Sequence, residues 1–159
     1  MRYIGILLCT LFLFSCSKSD DNGSKTYDEQ LVGKWNLIKE ERFNASSQLI
    51  ATISLKAAEH CDYDQLDFLP SNTIDYNAYY LEEGSDVCKS RFTKNAYRWT
   101  MLDHRRLALD SGDGRVDFVV TTVSDAELIL TRPLTAMEKN TNESLKDVSF
   151  IKVFYQKAK

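Results

Sequence analysis

His60 and Cys61 are adjacent, and a histidine that takes the proton of a cysteine makes a thiolate nucleophile. That pair is the first place to look for catalysis in this 159-residue chain, which holds 4 Cys and 2 His. Cys88 follows Cys61 by 27 positions and opens two other uses for the sulfur, a metal site or a disulfide. Neither cysteine sits in Cys-x-x-Cys spacing and the histidines do not cluster, which counts against metal or redox chemistry. His60 and His104 both fall in predicted turns, where an imidazole usually just faces water. Asp110, Asp113 and Asp117 bring three carboxylates around Asp113-Gly114. Their spacing departs from the Asp-x-Asp-x-Asp-Gly order of a calcium loop, and a hairpin with polar flanks accounts for them. Gly-x-Ser-x-Gly, a phosphate loop and His-Glu-x-x-His are all lacking. No catalytic residue, metal ligand or cofactor is assigned, and an enzyme is not expected.

The first residues carry an address. Arg2 forms a short basic region, Ile4 to Phe14 is an apolar run, and Leu13-Phe14-Ser15-Cys16 ends it. The run is short for a membrane span and no stop-transfer pattern follows it. Leu13-Phe14-Ser15-Cys16 resembles a bacterial lipobox, which implies cleavage before Cys16 and acylation of that cysteine. Several acyl chains on Cys16 would anchor the protein to a membrane without a transmembrane helix. Ser17 resembles the sorting residue of lipoproteins sent to the outer membrane. Lys18-Ser19-Asp20-Asp21 resembles a Lys-plus-acidic tag for export to the cell surface, with a solvated spacer as the alternative. The expected division is a signal over 1–15, a lipidated cysteine and flexible tether over 16–27, and one domain over 28–159.

Two cysteines are then spent, Cys9 with the signal and Cys16 on lipid. Cys61 and Cys88 remain as an even pair in an oxidising compartment, where a structural disulfide is the favoured reading. Closing that loop is worth roughly 3.5 kcal/mol on the chain-entropy model. The net charge of −3, with no basic block, argues against nucleic-acid binding. Only 2 Pro but 8 Tyr, 8 Phe and 2 Trp suit pleated, half-buried surfaces.

The elements that must position these residues read as strands. Leu31, Gly33, Trp35 and Leu37 alternate with Lys34, Asn36 and, further on, Glu40, so the first set should face inward and the second outward. Further alternating segments run through Leu49–Leu55, Leu66–Phe68, Ile74–Tyr80, Tyr97–Met101, Leu107–Leu109, Val116–Val120 and Leu128–Leu130. Val148–Tyr155 is apolar on both faces and leaves its inward side open. Glu82–Arg91 and Thr135–Asp147 read as loops, the second long enough for a short helix. About nine β segments with turn signals between them and almost no amphipathic helix describe an all-β antiparallel sandwich or barrel.

Gly33-Lys34-Trp35 on the first strand resembles the Gly-x-Trp signature of lipocalins and of the lipocalin-like domains of bacterial lipoproteins. The order of a cysteine, a Phe strand, a second cysteine, a Trp strand and paired hairpins adds to the likeness, which covers nearly the whole mature chain. The resemblance implies a lipocalin-like barrel of about eight to nine strands. Gly33 would allow close approach of another backbone, Trp35 would plug one end, and Arg132 would stack on the indole to close it. Tyr76, Tyr80, Tyr97, Trp99 and Phe118 would face inward and line a pocket for a small hydrophobic ligand, or simply pack the core. The corresponding functions are a lipid-anchored outer-membrane or surface carrier, or a filled barrel that presents Glu82–Ser90 and Thr135–Asp147 to a protein or glycan.

Overall fold

The structure, a computed structural model, describes residues 25–159. The signal, Cys16 and most of the tether lie outside the described residues. Thr26 opens a short helix, α1 (Tyr27–Leu31), with a reciprocal cap: its hydroxyl accepts from Glu29 N–H and the Glu29 carboxylate accepts from Thr26 N–H. Leu31 ends that helix instead of starting the first strand, and it is fully buried.

Nine strands follow: β1 (Gly33–Phe43), β2 (Leu49–Ser54), β3 (Gln65–Phe68), β4 (Thr73–Leu81), β5 (Cys88–Met101), β6 (Arg106–Ser111), β7 (Gly114–Val123), β8 (Glu127–Pro133) and β9 (Phe150–Lys157). All pair antiparallel. Eight of them, β1-β3-β4-β5-β6-β7-β8-β9, run in a ring that β9 closes on β1. Closure removes the open edges an eight-stranded sheet would otherwise expose. The ninth, β2, lies along the far half of β1, from Lys39 to Phe43, where the four-residue β3 no longer reaches. The fold is an all-β closed antiparallel barrel with one extra strand, consistent with a lipocalin-like fold.

The lower end of the barrel holds the start of β1, the end of β9 and α1. Its layer of Trp35, Phe68, Ile74, Trp99, Leu107 and Leu128 is buried throughout. Phe68 and Trp99 meet edge to face at 5.8 Å. Trp35 donates its indole N–H to the Leu31 carbonyl at 2.7 Å, so α1 seats on the plug it covers. The upper end is crossed by the β8–β9 connection, which contains α2 (Ala136–Thr141) and a 3-10 turn (Glu143–Leu145). Leu134 and Leu145 pack on the core and Val148 is buried, but α2 buries no residue.

The expected loop over Glu82–Arg91 is shorter than its polarity implied. Strand β5 begins at Cys88, and Tyr79, Tyr80 and Leu81 pair with Ser90, Lys89 and Cys88. The two-stranded tip is pinned by a disulfide from Cys61 to Cys88, with Cα atoms 5.6 Å apart.

Candidate functional site

A β-bulge in β1 decides what the lumen contains. Leu37 lies opposite Tyr155, but the next paired residue is Lys39, opposite Phe154, so Ile38 is the extra residue. A one-residue insertion swaps the two faces of a strand. Beyond it Glu40 lies opposite Val153 and Arg42 opposite Ile151, both buried. Glu40 therefore turns inward, correcting the outward assignment from alternation. Its carboxylate accepts from Arg42 Nε at 2.7 Å, and the two side chains are 18% and 19% exposed. The outer face keeps Lys39 with Glu41, Lys39 over Phe154, and Phe43 stacked on Phe150.

Arg132 lies on the same inward face at the same end. It pairs with Ile151 across from β9, as Arg42 does from the other side. This corrects the expected stack on Trp35, which sits beside Lys157 at the opposite end. Arg132 instead bonds Glu138 of α2 through Nη2 at 2.7 Å. The Arg132 guanidinium, with help from the Thr135 N–H, holds the Glu138 carboxyl well below its usual range, at about 2.

Lys157 takes the place expected of Arg132. Its Nζ lies 4.1 Å from the centre of the Trp35 ring and donates to the Val32 carbonyl at 2.8 Å. Burial lowers the Lys157 pKa. Gly33 serves this side chain and not a neighbouring backbone: at φ +120°, a Cβ there would lie 2.8 Å from Lys157 Nζ.

Between the buried floor and the charged upper layer runs a belt of three tyrosines. Tyr76 lies opposite Leu66, Tyr97 opposite Ile74, and Tyr155 opposite Leu37 and Leu128. The Tyr76 and Tyr97 rings are 6.3 Å apart at 62°. Burial raises the Tyr155 pKa, with Tyr97 and Glu40 adding to the shift and Arg132 opposing it. Tyr76 is raised as well, first by burial and then by its hydrogen bond to Asp64. Asp64 in turn accepts from Tyr79 N–H at 2.7 Å and its carbonyl from Leu37 N–H at 2.8 Å, tying β4 to β1 just before β3 begins.

Of the five aromatic residues assigned to a pocket, Tyr76, Tyr97 and Phe118 face inward and stay only partly buried. Trp99 also faces inward but belongs to the floor. Tyr80 is 44% exposed and lies opposite Lys89 on the β4–β5 tip, so it lines nothing. Alternation alone does not bring Glu40, Arg42 or Tyr155 into the site.

His60, Cys61 and Cys88 do converge, their ligand atoms lying within 4.8 Å of one another. The disulfide occupies both sulfurs, and His60 Nε2 lies 2.7 Å from the Asp86 carbonyl. The arrangement staples the tip to the β2–β3 loop and leaves no thiolate for catalysis. Among the aspartates near Gly114, Asp117 is held by Arg115 at 2.6 Å.

No family model, curated protein or solved structure matches the chain.

Proposed function

We propose that this protein is a non-catalytic, lipid-anchored carrier of the lipocalin-like kind, which holds a small apolar molecule in the upper part of its barrel. The observation that carries the reading is the contrast between layers. The floor is sealed, whereas Tyr76, Tyr97 and Phe118 point inward and remain within reach of solvent. Small barrels either fill their lumen or keep room for one ligand, and partly exposed inward aromatics belong to the second type. The anchor is the Cys16 lipobox, and the site of action is the outer membrane, with the cell surface as the finer expectation from Lys18 to Asp21. The test uses N-phenyl-1-naphthylamine, a neutral probe that fluoresces when it leaves water. Saturable enhancement at one site, weakened by filling the lumen with Phe118→Trp, is expected. A linear, unsaturable response rejects the carrier.

A second reading rests on the β4–β5 tip, where Tyr80, Leu81, Val87 and Phe92 are exposed. In it the barrel is scaffold and the tip meets a protein or glycan. Loss of a partner on Phe92→Ser, with the neutral probe bound as before, distinguishes it.

A further inference from the structure

We infer that the outer wall of the barrel carries a polar site of its own, a groove over β1, β3, β4 and β5 that binds a neutral saccharide. The groove is separate from the lumen and independent of the carrier reading. It narrows the second reading, choosing a glycan over a protein and placing its contact on the wall beside the tip.

Two rows of side chains cross these four strands on the face away from the core. Trp35, Leu66, Phe68 and Ile74 are buried inward, so the residues that alternate with them point out. In one row Lys34 lies opposite Asp67, and Asp67 opposite Asp75. In the other Asn36 lies opposite Gln65, Gln65 opposite Asn77, and Asn77 opposite Phe92. All of these but Asn36, together with Ser90, line a groove of about 350 Å³. From β1 to β5 is three strand spacings, about 14 Å, which gives room for a short chain of sugar rings.

The chemistry of the lining matches a sugar. A sugar hydroxyl both donates and accepts, and the groove offers it carboxylates that only accept, an ammonium that only donates and amides that do both. Gln65 is oriented by its bond to Asn36 at 3.0 Å, and Asp75 accepts from the Asn95 N–H at 2.8 Å through one oxygen. The side chains of Lys34, Asp67, Asn77 and Ser90 make no hydrogen bond among the described residues. Asp67, Asp75 and Asn77 are nonetheless half-buried on an outer wall, so they line a recess instead of standing in bulk water. Phe92 flanks it and is 62% exposed. Its electron-rich ring face suits the C–H face of a pyranose.

Other ligands match this lining less well. A phosphate or a uronate would meet two carboxylates against one ammonium. A peptide that adds as a strand needs an open edge, whereas β3, β4 and β5 are each paired on both sides. An apolar molecule would strip water from the polar groups and return no bond. The pairing of Asp67 with Asp75 is itself informative, because like charges directly opposite each other weaken a sheet. Hydroxyls on neighbouring sugar carbons donate one proton to each carboxylate and so answer that repulsion.

The experiment is saturation-transfer NMR on the purified protein with neutral oligosaccharides of glucose, mannose, galactose and N-acetylglucosamine, and oligogalacturonate as the charged control. At least one neutral oligosaccharide should bind, and oligogalacturonate should not. Asn77→Ala and Phe92→Ser should each weaken that binding about tenfold or more, while N-phenyl-1-naphthylamine responds as it does with the parent. Asp67→Asn should lose saccharide affinity yet unfold at an equal or higher temperature, since it relieves the charge opposite Asp75. A residue of purely structural value would move affinity and stability together. No saccharide binding, binding indifferent to all three variants, or a preference for oligogalacturonate overturns the groove as a saccharide site. Where saccharides fail but Phe92→Ser still loses a protein partner, the second reading stands in its protein form; where both fail, it falls as well.

Discussion

Replacing Gly33 by Ala would strike the closed end of the barrel in two ways that can be separated. The residue has φ +120°, and an added Cβ would stand 2.8 Å from Lys157 Nζ and 3.1 Å from its Cε. Holding a side-chain-bearing residue in that backbone conformation costs roughly 1–3 kcal/mol. Lys157 must also give way. It then loses its bond to the Val32 carbonyl and its seat over Trp35, a charged hydrogen bond worth about 1.5–3 kcal/mol and a cation–π contact of about 1 kcal/mol. Rehydration of the ammonium returns part of this, so Gly33→Ala should destabilise by about 3–5 kcal/mol in all. In a Lys157→Ala background the second loss has already occurred, and Gly33→Ala should cost only the backbone strain. Urea unfolding of the four proteins, with equal slopes, closes the cycle. The coupling expected is about 1–3 kcal/mol. Costs that add to within about 0.5 kcal/mol would show that Gly33 and Lys157 do not act on each other, and would refute the role of Gly33 as the space that Lys157 needs to reach Trp35.

Other outcomes follow from the same structure. Replacing Cys61 and Cys88 together by Ser should lower stability by roughly 3.5 kcal/mol, with faster hydrogen exchange over 82–94 and a barrel otherwise retained. The Glu138 carboxyl should titrate near 2 by NMR and return toward its ordinary value of about 4.3 in Arg132→Gln. Its folded value is depressed, so the contribution of the Arg132–Glu138 pair is fully present above the ordinary value and is lost as pH falls through about 2. Cys16→Ala should abolish labelling by a fatty-acid probe and release the protein from membranes; a variant still labelled and still sedimenting would remove the lipobox.

Alternation is a good guide wherever a strand keeps its register. Trp99, Leu107 with Leu109, Val120, and Leu128 with Leu130 are buried as their period of two implies. The lower floor can be read this way because sealing it needs one continuous apolar face. The upper lumen cannot. Nothing in Leu37-Ile38-Lys39-Glu40 marks Ile38 as the extra residue, and its place is set by pairing with a strand more than a hundred positions away. Val148–Tyr155 is apolar on both sides because Phe150 and Phe154 are covered outside by an aromatic stack and a lysine, a tertiary fact with no local signature. Arg132 is placed at the wrong end by the family likeness, since the cation over Trp35 arrives from the final strand. Residues 88–91 read as a loop because a two-stranded tip with solvent on both faces needs no apolar side.

The extra residue at Ile38 works like a shift of reading frame halfway along one strand. Before it, β1 spells an apolar plug with Trp35 and Leu37; after it, the same strand spells an ion pair with Glu40 and Arg42. The partner strand β9 keeps one unbroken frame throughout and so holds the phase of both halves. Deleting Ile38 would therefore leave every inward residue of β1 in place and merely make the strand regular. A slip that instead drew Ile38 into the ladder would be a different event. Lys39, Glu41 and Phe43 would enter the lumen, while Glu40 and Arg42 would be expelled to the outer wall. The same amino acids thus encode two possible linings, one built from a carboxylate paired with a guanidinium and one built from an ammonium, a carboxylate and a phenyl ring. Which of them is expressed depends on one residue of slack, so the inner face of this half of the barrel can be rewritten without substituting any residue on it.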